Sequence, residues 1–151
     1  MRGHDAEPLR DALRDPDRHA FIYQDEQYHG VDVLGIGVSA FSYLGGIGQQ
    51  NLATLDGYLS ARRRGDLPLW RGYVLNDEER MVREFVLQLK LGGVGRAYFR
   101  DKFGVDVVDR FREALDDGQR QGWFAIDAGA VTVTGQGLLR IDRLLPAFYM
   151  P

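Results

Sequence analysis

The chain has 151 residues, 44% of them hydrophobic, with 19 basic and 22 acidic side chains giving a formal net charge of −3. That length suits one ordinary domain or two small lobes sharing a core, and the slight acidity supplies no general attraction to nucleic acid or anionic membranes. With no cysteine there is no disulfide, no thiolate nucleophile and no thiolate ligand for zinc or an iron–sulfur cluster, and with no apolar signal core or run near the ~20 residues that span a bilayer, a cytoplasmic setting is expected.

In chain order, residues 1–17 read as a polar, proline-interrupted lead-in. "FIYQ" at 21–24 and "VDVLGIGVSAF" at 31–41 predict two strands. The second is apolar on both faces (Val31, Val33, Leu34, Ile36, Val38), which predicts a strand in the middle of a sheet, or self-association through 31–41 if its neighbours are missing. Its glycines, Gly35-x-Gly37-x-x-Ala40, lack the rest of a dinucleotide turn: more glycines follow at once instead of a long helix, and Asp56 falls within a helical pattern. That pattern predicts a helix from Leu52 to Arg64, with Leu52, Leu55 and Leu59 on one stripe, Asn51 as its cap and Gly65 as its stop. "DLPLWRG" at 66–72 reads as a linker, closing a first region at 18–72.

Residues 73–151 form the second expected domain. Asn76 and Glu79 have capping-box spacing ahead of a stripe of Met81, Val82, Phe85, Val86 and Leu89 that stops at Gly92-Gly93. A short helix is expected from Arg96 to Phe103 and a longer one from Asp106 to Gly122, carrying Val108, Phe111 and Leu115 inward. "WFAIDAGAVTVT" predicts a hairpin about Asp127-Ala128-Gly129, and Thr134 caps a last helix that Pro146 ends. Three helices, a hairpin and a helix are the order of a winged-helix domain, so a nucleic-acid-binding or protein-interaction module is one reading. Its would-be recognition helix, however, holds more acids (Asp106, Asp109, Glu113, Asp116, Asp117) than bases (Arg110, Arg112, Arg120). Phosphate would meet repulsion there, which argues against a nucleic-acid partner.

The stretches "GVDVLGIGVSAFSYLGG", "LPLWRG", "VREFVLQLK", "YFRDKFG" and "VTVTGQGLLRID" together resemble the C-terminal portion of oxygen-independent coproporphyrinogen III oxidase-like proteins. These are radical S-adenosylmethionine proteins, with haem chaperones and haem-degrading enzymes among their relatives. The resemblance implies an α+β chain: a strand stub from the end of a partial α/β barrel, then a winged-helix-like domain covering the substrate. It implies oxidation of a porphyrinogen or handling of haem, two outcomes it leaves open. It also implies S-adenosylmethionine and a [4Fe–4S] cluster held by three cysteines, which this chain lacks. The chain alone is therefore expected to bind no cluster and to be inactive, with a cysteine-bearing barrel as its partner and a tetrapyrrole as a candidate ligand.

By the same resemblance, Phe41, Phe21 and Ala40 would wall a S-adenosylmethionine molecule, although the two phenylalanines read more simply as core aromatics. Arg71 is a candidate for pairing with a tetrapyrrole propionate, since a guanidinium matches a carboxylate bidentately. Its alternative is a solvated linker arginine. His29, in "QYHG", is the imidazole best placed for axial ligation of a haem-like ring, against an ordinary loop histidine. No metal-binding spacing and no catalytic serine arrangement is present.

Overall fold

The computed structural model describes residues 26–149, so the expected lead-in, the 21–24 strand and Phe21 lie outside the described residues. The fold is α+β, as expected, with two small antiparallel sheets. In the first, β1 (Phe41–Leu44), β2 (Ile47–Asn51) and β3 (Leu69–Val74) pair in that order. Gly45 and Gly46, both at positive φ, make the two-residue turn of the β1–β2 hairpin. Helix α1 (Leu55–Arg63) connects β2 to β3. No barrel closes among the described residues, and none of their helices is long and apolar enough to cross a membrane.

Four expectations in this region are corrected. Residues 31–40 are not a central strand: regular pairing begins at Phe41, preceded only by an isolated bridge between Val33 and Tyr43. The carbonyls that a neighbouring strand would take are satisfied locally, because the Asn51 side-chain amide donates to Gly35 O (3.3 Å) and Gly37 O (2.9 Å). Gly35 is needed for this fold-back, since a Cβ there would lie 2.2 Å from the Phe41 carbonyl oxygen. Asn51 is thus a strand residue rather than a helix cap; Thr54 caps α1 by accepting from Gly57 N. Leu55 and Leu59 face outward and Ala61 is the buried residue of that helix. Finally, the expected linker at 66–72 contains most of β3, whose pairing with β2 gives extended backbone a hydrogen-bonded partner.

The second region follows the predicted order more closely. Helix α2 (Asp77–Leu89) carries the full Asn76–Glu79 capping box, and its stripe of Met81, Val82, Phe85, Val86 and Leu89 is buried. Then come β4 (Gly93–Gly95), α3 (Arg96–Phe103), α4 (Val107–Arg110), α5 (Arg112–Arg120), β5 (Phe124–Ile126), β6 (Ala130–Val133), α6 (Gly135–Leu138) and α7 (Ile141–Leu144), ending in a 3₁₀ turn at Leu145–Phe148. The hairpin β5–β6 turns at Asp127–Gly129 as expected, and β4 joins it as a third strand in the order β4-β6-β5. Asp106 caps α4, but the single helix expected over 106–122 breaks at Phe111, which leaves helical geometry. Its ring stacks on Phe85 with centroids 4.4 Å apart. Thr134 caps α6 as expected, while the last helix is three short turns rather than one. Phe85 is the centre of the core, with Phe99, Phe111 and Phe148 around it.

Candidate functional site

Residues directly opposite one another in an antiparallel sheet share a face, and so do residues two apart along each strand. Phe41 pairs with Gln50 and Gln50 with Arg71; one step on, Tyr43 pairs with Gly48 and Gly48 with Tyr73. One face of the sheet therefore carries two rows, Phe41–Gln50–Arg71 and Tyr43–Gly48–Tyr73. Gly48 places no side chain between its two tyrosines, so the second row is hollow at its middle. This face lines a cavity of about 990 Å³, bounded on the far side by Leu75, Val82 and Arg83 at the start of the second region.

Hydrogen bonds fix the first row. Gln50 Oε1 accepts from Arg71 Nε at 2.9 Å, and the Arg71 guanidinium lies over the Trp70 ring, 4.3 Å from its centroid. Only Nε is used among the described residues, which leaves the two terminal nitrogens of Arg71 for a ligand. Tyr73 is tied to the helix, its hydroxyl donating to Glu79 Oε1, while Glu79 Oε2 accepts from Asn76 N at 2.8 Å. The hydrogen bond to Glu79 raises the Tyr73 pKa above the usual phenol range. The same bond, aided by Asn76, lowers that of Glu79. The pair is therefore a neutral phenol and a carboxylate at neutral pH.

Arg83 enters from α2 with its guanidinium over the Tyr43 ring, Cζ 3.9 Å from the centroid. Burial lowers its pKa, and its Nη1 is inaccessible and has no hydrogen-bond acceptor among the described residues. An aromatic and aliphatic wall with two cationic groups suits a ligand with an apolar body and carboxylates. Among the described residues no group of three histidine, aspartate or glutamate side chains is disposed to hold a metal, and the sequence has no cysteine for a cluster.

Phe41 and Arg71, separate candidates in the sequence, thus meet on one wall. Ala40 lies at the edge of β1, where its N–H points to Gly37 O and its carbonyl accepts from Asn51 N; it does not line the cavity. His29 is elsewhere. Its ring is edge-on to Tyr98, and its carbonyl accepts from Lys102 Nζ at 2.9 Å, with the Tyr98 hydroxyl oxygen equally near. Those two donors also hold the buried Glu84 carboxylate, at 2.6 and 2.9 Å, making a structural clasp between the 26–30 segment and the helices. The sequence reading missed Tyr43, Gln50, Tyr73 and Arg83. The adjacent glycines of "YLGG" mark a hairpin turn and place Tyr43 on the Phe41 face. Nothing local marks Arg83, because its role depends on how α2 docks against the sheet.

Residues 75–140 match the sequence profile of the HemN C-terminal domain. The oxygen-independent coproporphyrinogen III oxidase of Pseudomonas aeruginosa is 30% identical over 137 residues, covering 85% of this chain and 30% of the relative. The heme chaperone HemW of Bacillus subtilis is 28% identical over 133 residues, covering 87% of this chain and 34% of the relative. Among solved structures, coproporphyrinogen III oxidase (HemN) from Escherichia coli, described as a radical SAM enzyme, superposes with a TM-score of 0.70 at 24% identity. The alignment takes in 88% of this chain and 34% of that one, a likeness of fold. This chain spans about a third of the length of each of these proteins.

Proposed function

From the match of residues 75–140 to the HemN C-terminal domain we propose that the chain is the substrate-covering portion of a radical S-adenosylmethionine protein of tetrapyrrole metabolism. The observation that carries this reading is the cavity on the open sheet, where Phe41, Tyr43 and Tyr73 supply flat apolar walls and Arg71 presents unused donors. A tetrapyrrole with acidic side arms has the shape and charge for such a wall, and Arg71 would take one of its propionates. Phe41 would face S-adenosylmethionine, with Ala40 behind it.

The cluster that starts radical chemistry is held by thiolates, and this chain supplies none. Its residues do not fit that group, so no step of the chemistry is assigned to them. A barrel with cysteines, in the same polypeptide or another, completes the site. The apolar surface around β3, with Leu69, Trp70 and Val74 exposed, is where that barrel would pack. Axial haem ligation by His29 is not part of the proposal, since that residue does not line the cavity.

The order of helical segments and hairpin between Asn76 and Phe148 supports a winged-helix-like reading, without nucleic acid as its partner. The three arginines in and beside α4 and α5 are already engaged: Arg110 with Glu78, Arg112 with Asp109 and Arg120 with Asp117. The test is addition of the purified chain to an anaerobically reconstituted, cysteine-bearing radical S-adenosylmethionine barrel with coproporphyrinogen III. Formation of 5′-deoxyadenosine and loss of substrate propionate carboxyls only in the mixture is the expected result. Turnover by the chain alone, or a barrel whose activity ignores the chain, would overturn the reading.

A further inference from the structure

The two carboxylates nearest to Arg83 along α2, Glu79 and Glu84, are both occupied. Glu79 lies one helical turn before Arg83, a spacing at which opposite charges pair. Its oxygens are instead taken by the Tyr73 hydroxyl and the Asn76 N–H. Glu84 points its carboxylate into the clasp, where Lys102 Nζ and Tyr98 saturate it. Arg83 therefore forms no ion pair or hydrogen bond among the described residues, although it is half-buried and one terminal nitrogen is sealed from solvent. A guanidinium in that condition loses hydration without gaining an acceptor, an arrangement that costs free energy unless something else supplies the acceptor. The cation–π contact with Tyr43 recovers part of the loss. Arg83 lines the cavity together with Phe41, Tyr43 and Tyr73.

We infer that Arg83 is a carboxylate-binding residue of this cavity, receiving an acid group of a ligand whose apolar body lies against the β1–β3 face. The assignment deepens the proposed function, since it rests on the same cavity, but it concerns a different residue and a ligand class wider than tetrapyrroles. Binding turns the Arg83 side chain by a small rotation from the Tyr43 ring toward the cavity. Two anchors, Arg71 on β3 and Arg83 on α2, then favour a ligand with two separated acid groups over one with a single acid. The test is fluorescence titration of the purified chain with 1-pyrenebutyrate, its neutral analogue 1-pyrenebutanol, and coproporphyrin III.

Arg83→Gln is expected to weaken pyrenebutyrate binding by about tenfold while leaving pyrenebutanol within twofold; a charge-assisted hydrogen bond is of that size. Arg83→Lys should recover part of the loss, because it keeps the charge and loses the fork. Unchanged binding of the neutral probe doubles as evidence that the variant folds and keeps its cavity. Equal losses for acid and alcohol, no loss for either, or no binding of pyrenebutyrate by the wild-type chain would overturn the assignment. The fate of the proposed function is separable. Pyrenebutyrate binding that depends on Arg83, with coproporphyrin III excluded, sinks the tetrapyrrole reading and spares Arg83; coproporphyrin III binding that ignores Arg83→Gln does the reverse.

Discussion

The sheet region at 31–74 and the helical region at 76–148 use similar side chains to opposite ends. In the helical region Phe85, Phe99, Leu115 and Val131 are completely buried, and aromatic rings interlock around Phe85. In the sheet region Leu34, Ile36, Phe41, Trp70, Tyr73 and Val74 are each more than half exposed. One region closes its own core; the other presents large apolar groups with no counterpart among the described residues. Isolated exposed hydrophobics need no explanation, but a continuous series of them over neighbouring segments marks a surface made to be covered. The difference separates two parts of the molecule: the helices hold the fold together, and the sheet carries the proposed binding wall.

The largest expected effect tests that division directly. Phe85→Ala removes the ring at the centre of the aromatic cluster and should cost about 3–5 kcal/mol, enough to unfold much of the helical region in a urea titration followed by circular dichroism. Phe41→Ala, a truncation of the same size on the sheet, should change stability by no more than about 0.5 kcal/mol. Similar costs for the two would break the comparison.

The contrast also explains what could be read from the sequence. The helical region was legible because its signals are local: the Asn76–Glu79 box, the 3.6-residue stripe of α2 and the Asp127–Gly129 turn each act within a few residues. The breaks in the later helices were not, since Phe111 leaves helical geometry to meet Phe85, a residue distant in sequence. In the sheet region the apolar run 31–38 has the composition of a buried strand, yet the Asn51 side chain occupies the carbonyls that would have paired. That competition is a tertiary event with no periodicity. The strand within "LPLWRG" was masked by its proline and glycine, which punctuate turns as readily as they flank an edge strand. Of the site, Phe41 and Arg71 were read from the sequence, whereas their common wall required the β1–β2–β3 register and Arg83 required the docking of α2.

A smaller effect sharpens the comparison through pH. Asp106 joins the start of α4 to α3: its Oδ2 accepts from Arg96 Nη2 at 2.7 Å, and its Oδ1 accepts from Val108 N at 3.0 Å. The Arg96 hydrogen bonds, with help from Val108, lower its pKa below the usual carboxylate value. A carboxylate whose folded pKa is depressed adds stability that is complete above its unfolded pKa of ~3.9 and disappears as pH falls through the folded value. Asp106→Asn should therefore cost about 1 kcal/mol at pH 7, with the thermal midpoints of variant and wild type converging as the solution is acidified from pH 5 toward pH 2. A gap that persists unchanged at the acid end would mean that the contribution of Asp106 is not ionic. Since Asp106 belongs wholly to the helical region, amides of β1 to β3 should be unaffected at any pH in that range.

The smallest effect on folding is expected on the opposite side of the comparison, at Leu34 and Ile36. These side chains are 67% and 84% exposed, so replacing both by serine removes almost no buried area and should shift stability by less than about 0.5 kcal/mol. The segment that carries them makes one isolated bridge, Val33 with Tyr43, and otherwise leaves its backbone outside the sheet. Exposed apolar side chains on closely spaced residues are a route to self-association, as the sequence suggested for 31–41. Sedimentation velocity over a hundredfold range of concentration should then show wild-type chain forming larger species, and the Leu34→Ser/Ile36→Ser variant staying monomeric at the same concentrations. Hydrogen exchange supplies the second reading: the amides of Leu34, Ile36 and Val38, which donate to no acceptor among the described residues, should be fast in dilute wild type and slow on concentration, with no such change in the variant. A wild-type chain that is monomeric throughout, with those amides already protected, would mean that the segment finds its partner within the chain and that the sheet region is less open than its exposed side chains imply.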